Sequence, residues 1–134
     1  MKRRLAIDTS GYSHFRGGDV RVADLIQNAA EVYLPVIVLG ELQAAFRGGS
    51  RQKDNALRLE EFLATSFVHL LPVNSDVARR YGHLVTSLRA AGIPIPTNDI
   101  WIAATVMECG AHLITFDSDF ANISGLDVDI LKPA

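Results

Sequence analysis

Cysteine is almost absent from this 134-residue chain: Cys109 stands alone. No intrachain disulfide can form, which is consistent with a reducing compartment. Long apolar runs are missing as well. The longest, Leu34–Leu39, falls far short of the ~20 residues that cross a bilayer. Behind Lys2-Arg3-Arg4 only Leu5-Ala6-Ile7 precedes Asp8, against the ~7–15 apolar residues of a secretory core. The expectation is a cytoplasmic protein with no membrane contact. Net charge is small, with 13 Lys+Arg against 15 Asp+Glu. Scarcity ends with hydrophobic content, 49% against 21% charged, which excludes a disordered chain. The length predicts one domain over residues 1–134.

Several chemistries lack their motifs. His14, His69, His83 and His112 show no paired spacing, which argues against zinc; His69 and His112 lie in expected strands and read as structural. No Gly-x-Ser-x-Gly elbow, Walker loop or Gly-x-Gly-x-x-Gly is present. Cys109, Trp101 and Met107 fall on an apolar helix and read as packing residues.

What is there is an alternation of strands and helices. Residues 4–7, Val32–Leu39, Phe67–Val73, His112–Phe116 and Asp127–Leu131 read as strands. Thr9 to Asp19 reads as loop with a helical turn, and Val20–Ala30 and Gly40–Phe46 read as helical. Asp54 is an expected cap for a helix over Asn55–Thr65, Asn74 or Ser75 for one ending at Gly92, and Thr97 for one over Asn98–Cys109. The pattern predicts an α/β domain with a mainly parallel sheet and right-handed crossovers.

The acids fall at one kind of place. Asp8 directly follows the first strand, Glu41 follows Val36–Leu39 by one glycine, and Asp117 follows Leu113–Phe116. Asp99 lies in the first turn of a helix. In open α/β sheets, ligands bind outside the carboxyl ends of the strands, so these acids are expected to converge there. Each alone has an ordinary explanation as a turn, cap or helix-dipole residue. Jointly, clustered carboxylates repel unless protons or a cation neutralise them, and oxygen-only ligation suits Mg²⁺ or Mn²⁺. No histidine or lysine is placed as an evident general base, so a divalent ion would have to activate the attacking water.

Four segments in order, Ile7-Asp8-Thr9-Ser10, Val38-Leu39-Gly40-Glu41-Leu42, Thr97-Asn98-Asp99-Ile100-Trp101-Ile102-Ala103-Ala104 and Leu113-Ile114-Thr115-Phe116-Asp117-Ser118-Asp119-Phe120, resemble PIN-domain ribonucleases. Within these the chain looks like the VapC toxins of toxin–antitoxin pairs. The resemblance runs from Leu5 to about Leu131. It implies a three-layer fold with sheet order 3-2-1-4-5, and Mg²⁺- or Mn²⁺-dependent cleavage of single-stranded RNA to a 5′-phosphate and a 3′-hydroxyl. By motif, Asp8, Glu41, Asp99 and Asp117 form the catalytic, metal-holding set, with Asp119 able to serve beside Asp117. Thr9, Ser10, Asn98 and Thr115 match positions that line or support such sites. The resemblance also implies a homodimer and a VapB-like antitoxin, with no DNA binding expected of this chain alone.

Two rivals and a basic stretch complete the reading. Asp117-Ser118-Asp119 imitates the Asp-x-Asp of a Mg-dependent phosphatase, but follows a late strand instead of the first. A PIN-like scaffold that binds RNA or protein without cutting is the non-enzymatic alternative. Residues 47–58 carry a charge balance of +3, and residues 97–134 one of −5. An acidic edge repels flanking phosphates, so Arg47, Arg51 and Lys53 are the expected RNA-binding residues.

Overall fold

Short aliphatic runs form five strands: β1 (Arg4–Ile7), β2 (Glu31–Pro35), β3 (Val68–Leu71), β4 (His112–Thr115) and β5 (Val128–Ile130). They belong to a computed structural model that describes residues 2–134. Every pairing is parallel and the order is 3-2-1-4-5, as expected. Among the described residues six α-helices connect them: α1 (Thr9–Arg16), α2 (Val20–Gln27), α3 (Val36–Gly48), α4 (Gln52–Leu63), α5 (Ser75–Ala90) and α6 (Thr97–Cys109). A 3₁₀ turn over Ser118–Asn122 links β4 to β5.

Strand order and crossover hand fix the layers. The chain moves one way across the sheet from β1 to β3, then jumps back to β4. Right-handed crossovers therefore place α1–α4 on one face and α5–α6 on the other. The order reverses between β1 and β4, the crevice where α/β sheets take ligands. Both central strands are covered on two faces, so they read as continuous apolar runs: Leu5, Ala6 and Ile7 of β1 and Leu113 and Ile114 of β4 are all buried. Helix α6 buries Ile100, Ile102, Ala103, Ala104, Thr105 and Val106, in keeping with its apolar circumference. Trp101 stacks on Tyr81 of α5 at 3.8 Å between centroids and 10° between planes.

Several boundaries differ from the sequence expectation. The strand expected over Val32–Leu39 ends at Pro35, and Val36–Leu39 open α3. Proline has no N–H for a further ladder bond, and its backbone (φ −59°, ψ 141°) serves as the residue before a helix. An apolar run alone does not separate a buried strand from a buried helix. Thr9 to Arg16 is a full helix, because Asp8 caps it. Helix α4 starts at Gln52, which leaves Asp54 in its first turn, and α6 starts at Thr97 behind Pro96; neither has a side-chain cap. Strand β3 is trimmed to Val68–Leu71, and the last two strands lose a residue or two at their ends. Asn74 does cap α5, its side chain accepting the Val77 N–H at 3.0 Å.

The histidines expected to be structural are so placed. His69 bonds Glu31 of the neighbouring strand at 2.6 Å. His112 is buried, with Nδ1 2.8 Å from Asp127 and Nε2 3.1 Å from Asp129. Half-buried Cys109 accepts a hydrogen bond from Arg4 Nη2 at 3.3 Å.

Candidate active site

Strand β1 ends at Ile7, so Asp8 is the first residue past the carboxyl edge. The register pairs Ile7 with Ile114 and therefore sets Asp8 beside Thr115. Its carboxylate caps α1, Oδ1 accepting the Gly11 N–H at 2.7 Å. Two hydroxyls complete its shell: Thr115 donates to Oδ2 at 2.6 Å and Ser10 to Oδ1 at 2.8 Å. Each hydroxyl is itself tied to the β4 exit, Ser10 Oγ by the Phe116 N–H at 2.9 Å and Thr115 Oγ1 by the Asp117 N–H at 3.0 Å. Asp8 is thus both a helix cap and a carboxyl group held in place, 4% exposed. Burial pushes its pKa up, the hydrogen bonds from Thr115, Gly11 and Ser10 oppose this, and the Asp117 charge adds to the rise.

Three more carboxylates meet in front of it. Asp99 comes down in the first turn of α6. Asp117 caps the 3₁₀ turn, accepting the Asp119 N–H at 2.9 Å. Oxygens of Asp99, Asp117 and Asp119 lie within 4.8 Å of one another. Burial, then a hydrogen bond with Asp117, then the charges of Asp117, Glu41 and Asp119 push the Asp99 pKa up to about 7. Glu41 sits in the second turn of α3, not after a strand. Its Oε1 accepts the Thr9 hydroxyl at 2.5 Å and its Oε2 the Asn98 amide at 3.4 Å.

The structure thus gathers the five sequence-predicted acids with Thr9, Ser10, Asn98 and Thr115 at one edge. Among the described residues no lysine, arginine or histidine forms an ion pair with any of these five acids. Uncompensated charge and an all-oxygen donor set fit a hard divalent cation. The basic residues lie elsewhere. Arg47, Arg51 and Lys53 are exposed; Arg47 is six residues beyond Glu41 on α3, about 9 Å further along the axis. Arg51 is paired with Asp54 at 3.2 Å, which also takes Arg58 at 3.3 Å.

Sequence reasoning missed Gly11. A Cβ there would stand 2.8 Å from the Ile114 carbonyl oxygen and 3.2 Å from Asp8 Oδ1. A glycine three residues after a capping acid was the available signal.

An all-parallel α/β sheet with acids from four elements at its switch point defines a domain whose edge offers an all-oxygen donor set for a cation. The chain belongs to the PIN-domain family, whose model matches residues 5–126. It is 33% identical over 93 residues to Ribonuclease VapC4 of Mycobacterium tuberculosis, a match covering 69% of this chain and 72% of that one. VapBC-5 of Mycobacterium tuberculosis, described as a member of the VapBC family of toxin–antitoxin systems, superposes with a TM-score of 0.71 at 26% identity, over 98% of this chain and 99% of that. VapBC2 from Rickettsia felis, solved bound to a DNA fragment from its promoter, shares the fold with a TM-score of 0.85 at 23% identity, over 95% and 98% of the two chains.

Proposed function

We propose that this chain is a divalent-metal-dependent endoribonuclease of the VapC kind, the toxin of a toxin–antitoxin pair, cutting single-stranded RNA. One observation carries the reading: in a PIN-family chain, Asp99, Asp117 and Asp119 crowd together with no basic partner among the described residues, and Asp99 is pushed up to about 7. Asp99, Asp117 and Asp119 would hold the ion, with Asp8 and Glu41 beside them. Mg²⁺ or Mn²⁺ bound there polarises the phosphoryl oxygens and lowers the pKa of water.

The protein's own groups do the remaining work. Thr115, Ser10 and Gly11 lock Asp8 in one rotamer, so the acids do not reorganise when RNA arrives. Glu41 Oε1 accepts the short Thr9 hydrogen bond, whereas Oε2 has only the long Asn98 contact. That oxygen takes the proton of the attacking water as the water oxygen bonds to phosphorus and the P–O3′ bond breaks, and the leaving O3′ takes a proton from solvent. The products are a 5′-phosphate and a 3′-hydroxyl. Partner chemistry follows the same charge logic. A VapB-like antitoxin blocks the site by inserting a basic side chain among the acids, where it replaces the cation.

The test is cleavage of a single-stranded RNA with Mn²⁺ or Mg²⁺, with excess chelator, and by Asp99→Asn. Cleavage that requires the ion and vanishes in the variant is expected. Cutting that persists in chelator, or at the wild-type rate in Asp99→Asn, overturns the reading.

A further inference from the structure

Helix α1 carries a second feature at the same edge. Ser10 and His14 lie four residues apart, on one face of the helix. Ser10 holds the Phe116 backbone N–H, and one turn on, the His14 ring lies flat on the Phe116 ring, 3.7 Å between centroids and 16° between planes. A helical side chain leans toward its own N-terminus, which for α1 is the acidic edge. Phe116 directly precedes Asp117, so the two Cα atoms are about 3.8 Å apart. The guanidinium of Arg21 also lies against Phe116, 5.8 Å from its centroid. The aromatic pair is therefore held by backbone, helix and cation at once.

Beyond His14 the surface opens into a cavity of about 390 Å³, lined by Ser13, His14, Gly17, Gly18 and Asp19 with Pro133 and Ala134. Gly18 has φ +92° and nothing within 4 Å of a built Cβ, so the wall there is bare backbone. The volume lies in the range of small-ligand sites, ~300–1,000 Å³.

We propose that the half-buried His14 imidazole, backed by Phe116, is a stacking platform for one unpaired nucleobase next to the phosphate cut at the acids. The inference rests on the nuclease reading above and names how that site grips its substrate. A base offers a flat π-face of matching size, and stacking on an aromatic side chain tolerates any base. It also restrains the scissile phosphate through the single ribose that joins base to phosphate, a positioning that charge contacts from Arg47, Arg51 and Lys53 to flanking phosphates do not supply.

The experiment uses single-stranded RNA oligonucleotides carrying 2-aminopurine at successive positions, bound in Ca²⁺ buffer. Quenching at one position in the wild-type protein is expected, with its loss in His14→Ala, its retention in His14→Phe, and about tenfold weaker RNA binding in His14→Ala. Quenching that is absent, or equal in wild type and His14→Ala, overturns the platform. A separate incubation with Mn²⁺ separates the two ideas. RNA that is cut without His14-dependent quenching overturns the platform alone. RNA that shows this quenching but is never cut overturns the nuclease reading alone. RNA that does not bind overturns both.

Discussion

Asp99 is where charge at this edge is most directly measurable. Its folded pKa of about 7 lies above the ordinary 3.8, so the folded state holds a proton that the unfolded chain releases across that window. Its contribution to stability is therefore greatest below about pH 4 and falls as pH rises to about 7. Asp99→Asn should come closest to the wild type below about pH 4 and gain on it progressively to pH 8 in chelator, as read by denaturant midpoints. Saturating Mn²⁺ should remove the wild type's deficit at pH 8, because the ion does what the proton did. A variant no more stable than wild type at pH 8 would contradict this. Gly11 is a second residue-scale case. Its added Cβ meets backbone rather than a flexible side chain, so Gly11→Ala should destabilise by about 1–3 kcal/mol. It should also shift Asp8 and slow cleavage more than the stability loss accounts for. Asp8's acidic role and its capping role are alternatives in the sequence; the structure makes them one, because the same carboxyl group caps α1 and stands at the acidic edge.

At the scale of elements, caps explain which helices the sequence announced. Asn74 is a conventional N-cap, and Asn74→Ala should lower stability by about 1 kcal/mol while leaving cleavage intact, since α5 carries none of the acids. Equal stability in a thermal melt would count against the cap. Helices α3 and α6 begin behind Pro35 and Pro96 with no side-chain cap. Their starts were misplaced or miscapped for that reason: packing and proline geometry, not a local side chain, set them. The consequence at α3 is direct: Val36–Leu39 reads as strand in the sequence, whereas Glu41 reaches the site from the second helical turn.

The whole molecule divides its charge, and its handling of RNA should follow. With the acidic edge repelling phosphates, the exposed Arg47, Arg51 and Lys53 remain the expected grip on the flanking strand. The triple alanine change should flatten the salt dependence of RNA binding in Ca²⁺ buffer by about one to two units of slope, the lower end because Arg51 is already paired with Asp54. An unchanged slope would make them bystanders. The protein should also run as a dimer at tens of micromolar in size exclusion with light scattering. The family resemblance motivates this expectation, and Leu57 and Leu70 remain 54% and 43% exposed. A monomeric mass would end it.

Local pattern along the chain specifies the class of fold and the acids at the sheet edge. Alternating apolar segments leave few topologies once crossovers must be right-handed, and an acid at the end of an apolar strand declares itself. Tertiary structure decided what depends on distance. Asp119 joining Asp99 and Asp117, the Thr9 and Asn98 contacts of Glu41, and His14 lying on Phe116 are meetings of residues far apart in the chain. Their partners are set by strand register and helix rotation, which no local pattern of residues encodes.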